Sequence, residues 1–258
     1  MTEHAILTVC GLTKQYAPGQ GCLDVNFSLH PGEVLGVVGE SGSGKSTLLR
    51  CLGGHIGSDH GVINYHNRDG QQVDMCQLMP AQRQLLLRQE WGFVYQHAHE
   101  GLRMQVSAGA NIGEPLMNNG KRHYGEIRET AMRWMRDVEL DARRIDEYPC
   151  AFSGGMRQRL QIARALVTQP RLILMDEPTG GLDVSVQARL LDLLRQLVSQ
   201  LQLAVVIVTH DLAVARLLAQ RLIVMRDGKI VETGLTDQVL DDPQHPYTQL
   251  LVSSILTP

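Results

Sequence analysis

The alternation of apolar and polar residues predicts mostly strands in the N-terminal third of the chain. Residues 5–10 and 23–29 alternate in this way, which indicates two antiparallel strands separated by a tight turn at 17–21. The other elements expected in this region are strands at 34–38, 61–65 and 92–95 and a helix over 80–88.

A helical pattern replaces the strands between about residues 97 and 167. Within 124–138, four apolar residues recur at helical spacing: Ile127, Ala131, Trp134 and Val138. Strand patterns then return at 172–175, 204–208 and 222–225. Between the first two of these strands, one face of the segment 186–201 is apolar, which predicts a crossover helix packed on a parallel sheet. The residues of that face are Val186, Leu190, Leu194, Leu197 and Leu201.

The C-terminal region begins with a predicted hairpin. Asp227-Gly228 suits a type I′ turn and predicts a hairpin over 221–231. Residues 241–258 contain three prolines around a short apolar run, so we expect a tail or docking extension rather than a core element.

These patterns together predict an α/β fold. We expect a parallel-sheet core with N-terminal antiparallel strands, a helical subdomain inserted into that core, and a C-terminal extension. The expected ranges are 1–96 and 168–231 for the core, 97–167 for the helical subdomain and 232–258 for the extension.

Composition allows one large domain or one domain with an inserted lobe, since 43% of the 258 residues are apolar. The net charge of −3 argues against a broad basic face, so no nucleic-acid partner is expected. The sequence contains neither an uninterrupted apolar run of membrane-spanning length nor a signal-peptide pattern, which predicts a cytoplasmic protein. The five cysteines form no C-x-x-C pair, so we expect buried, reduced thiols.

A phosphate-binding loop follows the strand 34–38. Its sequence GESGSGKS fits the pattern G-x-x-x-x-G-K-[ST] without a mismatch. The glycines let backbone N–H groups surround a phosphate, Lys45 reaches the β- and γ-phosphates, and the Ser46 hydroxyl holds Mg²⁺. The residues assigned to phosphate binding are Gly39, Glu40, Ser41, Gly42, Ser43, Gly44, Lys45, Ser46 and Thr47.

Polar residues end two of the later strands. Asp176 and Glu177 follow the apolar run 172–175. Because ligands bind beyond the carboxyl ends of parallel strands, we expect Asp176 to orient Mg²⁺ with Ser46 and Glu177 to polarise the attacking water. His210 follows 204–208 and can hydrogen-bond the γ-phosphate or Glu177, although a histidine there by itself is more often structural.

A second phosphate site is predicted at Ser153-Gly154-Gly155. These residues precede a helix with one apolar side, so they leave exposed N–H groups at a helix N-terminus. Taken alone, the segment also fits a simple serine-capped helix.

These motifs, together with Gln96 and the segment Gly180 to Asp183, resemble in order and spacing those of the ATP-binding cassette (ABC) ATPases. The resemblance implies a P-loop NTPase with a RecA-like sheet, ATP and Mg²⁺ as ligands, and two cassettes paired head to tail. It implies that Tyr16 is a platform for adenine and that Gln96 joins the Mg²⁺ and water network. It also implies that Asp183 supports the contact between the two phosphate loops.

The sequence departs from the family at two places. Met156 stands where many members have glutamine, and Gly180-Gly181 stands where serine and alanine are common. Neither change removes a ligand of phosphate, metal or water, so we expect hydrolysis to persist, and the glycine pair loosens the dimer contact.

Three segments are similar to the ATP-binding subunits of bacterial phosphonate carbon-phosphorus lyase systems: 96–114, 123–131 and 177–195. This resemblance implies docking on soluble lyase core subunits, which ATP turnover would remodel in phosphonate catabolism. The alternative is the ATPase of an oligopeptide, dipeptide or nickel importer, whose partner is a membrane permease. Residues 245–248 and 183–187 resemble that subfamily as well. A nucleotide-gated switch without turnover is disfavoured because Glu177 and His210 are both present.

Overall fold

The computed structural model describes residues 5–17 and 19–254, which form two compact units. One unit combines the chain up to residue 84 with the chain from 198 onward, and the other comprises residues 85–197. The strands are β1 Leu7–Ala17, β2 Gln20–Leu29, β3 Val34–Val38, β4 His60–His66, β5 Gln72–Asp74, β6 Trp91–Val94, β7 Leu172–Asp176, β8 Ala204–Thr209, β9 Arg221–Arg226 and β10 Lys229–Leu235.

The helices are α1 Lys45–Leu52, α2 Pro80–Glu90, α3 Ala98–Gly101, α4 Ala108–Asn118, α5 Tyr124–Asp137, α6 Gly154–Leu166, α7 Val184–Leu201, α8 Leu212–Leu218, α9 Thr236–Asp241 and α10 Pro246–Ser253. Short 3-10 turns occur at Ala142–Arg144 and Pro149–Ala151. No helix within 5–17 and 19–254 is both long enough and apolar enough to cross a membrane.

An antiparallel sheet of order β2-β1-β4-β5 begins the first unit. The pairing Leu7↔Leu29 confirms the predicted antiparallel strands, and β1 continues to Ala17. Pro18, in the predicted turn, lies outside the described residues. The short strand β5 was not predicted, because its three residues are too few for a pattern.

The same unit holds the parallel strands on which the phosphate loop depends. β3 is fully buried and pairs in parallel with β8 and β9. β9 and β10 form the predicted hairpin, in which Asp227 and Gly228 both have positive φ, at 48° and 80°. Two positive φ values identify the type I′ turn, so this prediction is confirmed.

The second unit contains the parallel pair β6 and β7 together with helices α3 to α6. The apolar spacing in α5 is confirmed, because Ile127, Ala131, Trp134 and the adjoining Val138 are all buried. In α7 the predicted face is buried at Leu190, Leu194 and Leu197, whereas Leu201 is 38% exposed. The buried face of this helix therefore ends before its last turn.

The C-terminal segment contains two helices, α9 and α10. Tyr247 in α10 is only 4% exposed, and the adjacent Thr248 is buried as well. The expectation that this segment contributes no core residue is therefore wrong at Tyr247 and Thr248, whereas the other residues of 241–254 are exposed or half-buried. Pro246 stands in the first turn of α10, where proline is favourable because it lacks only an N–H that has no partner inside the helix.

Candidate nucleotide site

The phosphate loop joins β3 to α1 through glycines with positive φ. Gly39, Gly42 and Gly44 have φ of 150°, 84° and 102°. A Cβ on Gly39 would lie 2.2 Å from the carbonyl oxygen of Met225, and one on Gly44 would lie 2.1 Å from that of Gly21. The loop thus requires glycine at 39 and 44 because neighbouring backbone approaches so closely, whereas a Cβ on Gly42 would meet open space.

We expect Gly44→Ala to lower the free energy of unfolding by about 2–5 kcal/mol, from left-handed backbone strain and overlap with Gly21. Gly42→Ala is the matched control, because it adds the same methyl group at a positive φ without overlap and should cost only about 1–2 kcal/mol. Chemical denaturation of both variants measures the difference. Equal losses would show that the close approach to Gly21 does not constrain the loop.

Lys45 lies within the loop and is only 5% exposed. Its Nζ donates hydrogen bonds to the carbonyl oxygens of Gly39 at 2.8 Å and Glu40 at 2.7 Å, and to Ser43 Oγ at 3.3 Å. Gly44 precedes α1 and has no side chain to cap it, so no side-chain cap covers the helix N-terminus, where backbone N–H groups carry positive potential. Ser41, Gly42 and Ser46 are exposed, Thr47 is half-buried, and Ser43 is buried. The loop therefore presents a positive charge and backbone donors together.

Two contacts hold the outer side of the loop and a third holds the hairpin turn beside it, and the sequence patterns reveal none of them. The Gly228 N–H of the hairpin turn donates to the Ser43 carbonyl at 3.1 Å, and the Gly228 carbonyl accepts from the Leu23 N–H at 2.7 Å. The Glu40 N–H donates to the Tyr247 hydroxyl at 2.9 Å. Strand β2, the β9–β10 turn and α10 thus fix the loop from outside.

His210 and Tyr16 lie in the same unit as the loop. Thr209 pairs with Val38, so His210 and Gly39 follow neighbouring parallel strands at the same sheet edge. His210 is exposed there. The Tyr16 ring is 59% exposed, which leaves it available for stacking. The roles assigned to both residues stay predictions.

Three predicted metal and water ligands, Gln96, Asp176 and Glu177, lie in the second unit, whereas Ser46 lies in the first. Asp176 ends β7 and is buried, and the pairing Val94↔Met175 places Gln96 at the same sheet edge. Glu177 has φ of 44°, and its carbonyl oxygen accepts a hydrogen bond from the Gly180 N–H at 2.9 Å.

Gly180 also lies beside Gln96, since a Cβ on this glycine would be 3.5 Å from Gln96 Cγ. The structure thus places Gly180 beside Gln96 and the Glu177 carbonyl, whereas a Cβ on Gly181 would meet open space.

Two buried glutamines that sequence analysis missed hold the segment before Gln96. Gln161 Oε1 accepts from the Tyr95 N–H at 2.8 Å, and its Nε2 donates to the Tyr95 carbonyl at 3.0 Å. Gln158 Nε2 donates to the same carbonyl at 3.2 Å. Their placement on the buried side of α6, among Leu160 and Ala163, was the available signal, because a buried amide needs partners.

Ser153 caps α6, with its hydroxyl accepting the Met156 N–H at 3.4 Å. Ser153 and Gly154 are exposed, so this helix N-terminus is open to an anion as well as capped. Gly155 is buried against α7, and a Cβ there would lie 2.4 Å from Val186 Cγ1. The second glycine is therefore required for helix packing.

Asp183 caps α7 through Oδ1, which accepts from the Val186 N–H at 3.0 Å and the Ser185 hydroxyl at 2.8 Å. The Val186 N–H and then the Ser185 hydroxyl lower the pKa of the Asp183 carboxyl. Asp183 thus has a structural role within one chain, and its predicted role between two cassettes stays a prediction.

Cys22 and Cys51 are buried in the first unit, as expected. Cys10, Cys76 and Cys150 are exposed, so the expectation of burial is wrong for these three. Their exposure follows from outward positions in strand and turn segments, which the residue type does not encode.

Residues 22–180 match the family model described as ABC transporter, and residues 231–258 match the model of the oligopeptide/dipeptide transporter C-terminal region. The chain is 64% identical to the putative phosphonates utilization ATP-binding protein PhnK of Escherichia coli K12, over 98% of this chain and 99% of that protein. It is 40% identical to the dipeptide transport ATP-binding protein DppF of the same organism, over 98% of this chain and 77% of that protein.

Among solved structures, the dimeric ATP-binding cassette MJ0796 in a post-hydrolysis state with ADP and Pi superimposes with a TM-score of 0.78. The two sequences are 31% identical, and the match covers 89% of this chain and 98% of that one. CbiO1 of Clostridium perfringens, part of an ABC transporter complex, gives a TM-score of 0.80 at 26% identity, covering 93% and 92%. The chain belongs to the ATP-binding cassette family of ATPases.

Proposed function

We propose that this chain is the ATP-hydrolysing subunit of a phosphonate-utilisation system, and that its turnover remodels a soluble carbon-phosphorus lyase core. The observation that carries the proposal is the 64% identity to a phosphonate-utilisation protein along nearly the whole length of both chains. The importer ATPases among the relatives reach 38–40%. We propose that the subunit works in the cytoplasm with soluble partners.

The phosphate loop is the proposed binding site for the ATP phosphates. Lys45 and the N–H groups of the loop supply positive charge and donors, which phosphoryl transfer requires for positioning and charge stabilisation. Hydroxyl, amide and carboxylate oxygens suit Mg²⁺, and Ser46, Gln96 and Asp176 offer such oxygens, so these residues fit the ion. Bound Mg²⁺ would neutralise charge on the phosphates.

Glu177 is the proposed general base. It accepts a proton from the attacking water, and His210 hydrogen-bonds the γ-phosphate or Glu177. The hydrogen bond from Gly180 to the Glu177 carbonyl supports this proposal, because it fixes the backbone from which the carboxylate extends.

Two cassettes are proposed to close on ATP, with the exposed N-terminus of α6 in one chain facing ATP on the phosphate loop of the other. The dimeric structures of MJ0796, at 31% identity, support this arrangement. ATP must bind the closed pair more tightly than the open pair for hydrolysis to drive reopening. The helical segment 97–167 is proposed to transmit that motion to the partner.

An importer subunit is the second candidate function. The match of residues 231–258 to the oligopeptide/dipeptide transporter C-terminal region favours it specifically. In that case the partner would be a membrane permease.

Affinity purification of the tagged chain from its native cell separates the two functions. We expect soluble lyase subunits to be recovered from the wild type and lost from Arg103→Glu, which reverses a charge in the proposed partner-facing segment 96–114. Arg143→Glu is the matched control, because Arg143 is exposed outside that segment and should leave recovery unchanged. Recovery of a membrane permease instead would contradict the proposed lyase function and support the importer function.

A further inference from the structure

Tyr247 connects the C-terminal helix α10 to the phosphate loop. Its hydroxyl accepts a hydrogen bond from the Glu40 N–H at 2.9 Å, although the two residues are 207 positions apart. Its ring is buried, and the guanidinium of Arg226 lies 4.9 Å from the ring centroid. The phenol is therefore held in place by packing and by a cation–π contact before it meets the loop.

The peptide group that Tyr247 contacts is also the one that Lys45 contacts. The Glu40 N–H and the Gly39 carbonyl belong to a single planar peptide unit. Tyr247 accepts from the nitrogen side of this unit, and Lys45 Nζ donates to its oxygen side at 2.8 Å. Because the unit is rigid, fixing its N–H also fixes the direction of the carbonyl that holds the lysine ammonium.

The start of α10 is itself anchored to the β10 strand. The Glu232 carboxylate accepts the N–H groups of Gln244 at 2.8 Å and His245 at 3.0 Å. His245 Nδ1 in turn accepts the Tyr247 N–H at 3.1 Å. Burial raises the pKa of Glu232, but hydrogen bonds, of which the one from the Gln244 N–H has the largest effect, together with the nearby His245 lower it by more, so the net shift is downward. A continuous set of contacts thus runs from β10 through Tyr247 to the loop.

We infer that Tyr247 is a positioning residue for ATP binding, which orients the Gly39–Glu40 peptide and through it the ammonium of Lys45. The C-terminal segment then contributes to nucleotide binding, and displacing α10 lowers the affinity of the phosphate loop for ATP. The inference rests on the proposed ATP site at this loop.

The test is Tyr247→Phe in the full chain, which removes only the hydroxyl and keeps the ring beneath Arg226. We expect the Kd for a fluorescent ATP analogue and the KM for ATP to rise about threefold to tenfold, the size of one lost hydrogen bond. The value of kcat should change less than KM. Amide hydrogen exchange at Glu40 should become faster.

Tyr148→Phe is the matched control, because it removes a phenol that is 52% exposed in the other unit and should leave the Kd unchanged. A Tyr247→Phe protein with a lower unfolding temperature but a wild-type Kd would overturn the inference, since a merely structural hydroxyl gives that result. If this variant does not fold, Glu232→Gln, which weakens the anchor of α10, must raise the Kd instead, and an unchanged Kd overturns the inference. Failure of the wild type to bind ATP would refute the proposed function itself.

Discussion

Glu177→Gln is expected to bind ATP with nearly wild-type affinity and to hydrolyse it about 10²-fold to 10⁴-fold more slowly. The amide has the shape of the carboxylate but cannot accept a proton from water. The backbone should tolerate the change, although Glu177 has a positive φ of 44°, because Gln169 and Gln202 adopt φ of 52° and 50° in this same protein. The loss would therefore be chemical and not conformational.

The chain offers a close control for this substitution in Glu139. It is a second glutamate with positive φ, at 56°, and it pairs with Arg159 on the surface. Glu139→Gln makes the same chemical change at a residue that also has positive φ. It leaves Glu177, the proposed general base, unchanged. Phosphate release, ATP affinity and thermal unfolding should be measured for both variants. Equal hydrolysis by the wild type and Glu177→Gln would remove Glu177 from the mechanism.

Local patterns were sufficient to predict the elements on which the site is built. The apolar run at 34–38 followed by GESGSGKS predicts a strand, a loop and a helix, and the structure has β3 and α1 there. Asp227-Gly228 predicts the turn because a type I′ turn needs two positive φ values, which this pair accepts. These predictions succeed because each rests on interactions between residues close in sequence.

The contacts that hold the loop from outside could not be predicted in the same way. Gly21 approaches Gly44 closely, Gly228 donates to Ser43, and Tyr247 accepts from Glu40. Each contact joins residues far apart in the chain, and none leaves a periodic signal. The family pattern explains glycine at 44 by the phosphate, whereas the structure adds the carbonyl of Gly21 as a second reason.

The prolines of the C-terminal segment predicted a tail where the structure has a helix. Three prolines within 241–258 suggested a tail, but proline is unfavourable inside a helix and favourable in its first turn. Pro246 occupies that first turn, and the helix that follows buries Tyr247. A proline in the sequence can therefore indicate either the absence of a helix or the start of one. The second applies only where the residues that follow can pack, and here Tyr247 packs against partners such as Arg226.

Lys45→Ala is expected to weaken ATP binding about 100-fold or more, because charge-assisted hydrogen bonds to two phosphates are lost. The ammonium in the loop donates to Gly39, Glu40 and Ser43, so the variant also loses the group that holds these oxygens together. Lys45→Arg should not restore binding, since a planar guanidinium does not match a compact ammonium in a site that is only 5% exposed.

The affinity loss in Lys45→Ala must be separated from a loss of charge and from a loss of folding. Lys121→Ala removes the same charge from an exposed position and should leave the Kd for ATP unchanged. Thermal unfolding without nucleotide shows whether the loop variant is folded, and added ATP should then stabilise the wild type and Lys121→Ala but not Lys45→Ala. If Lys45→Ala bound ATP within about threefold of the wild type, the backbone donors alone would hold the phosphates. The coupling from Tyr247 to the lysine would then have no bearing on affinity.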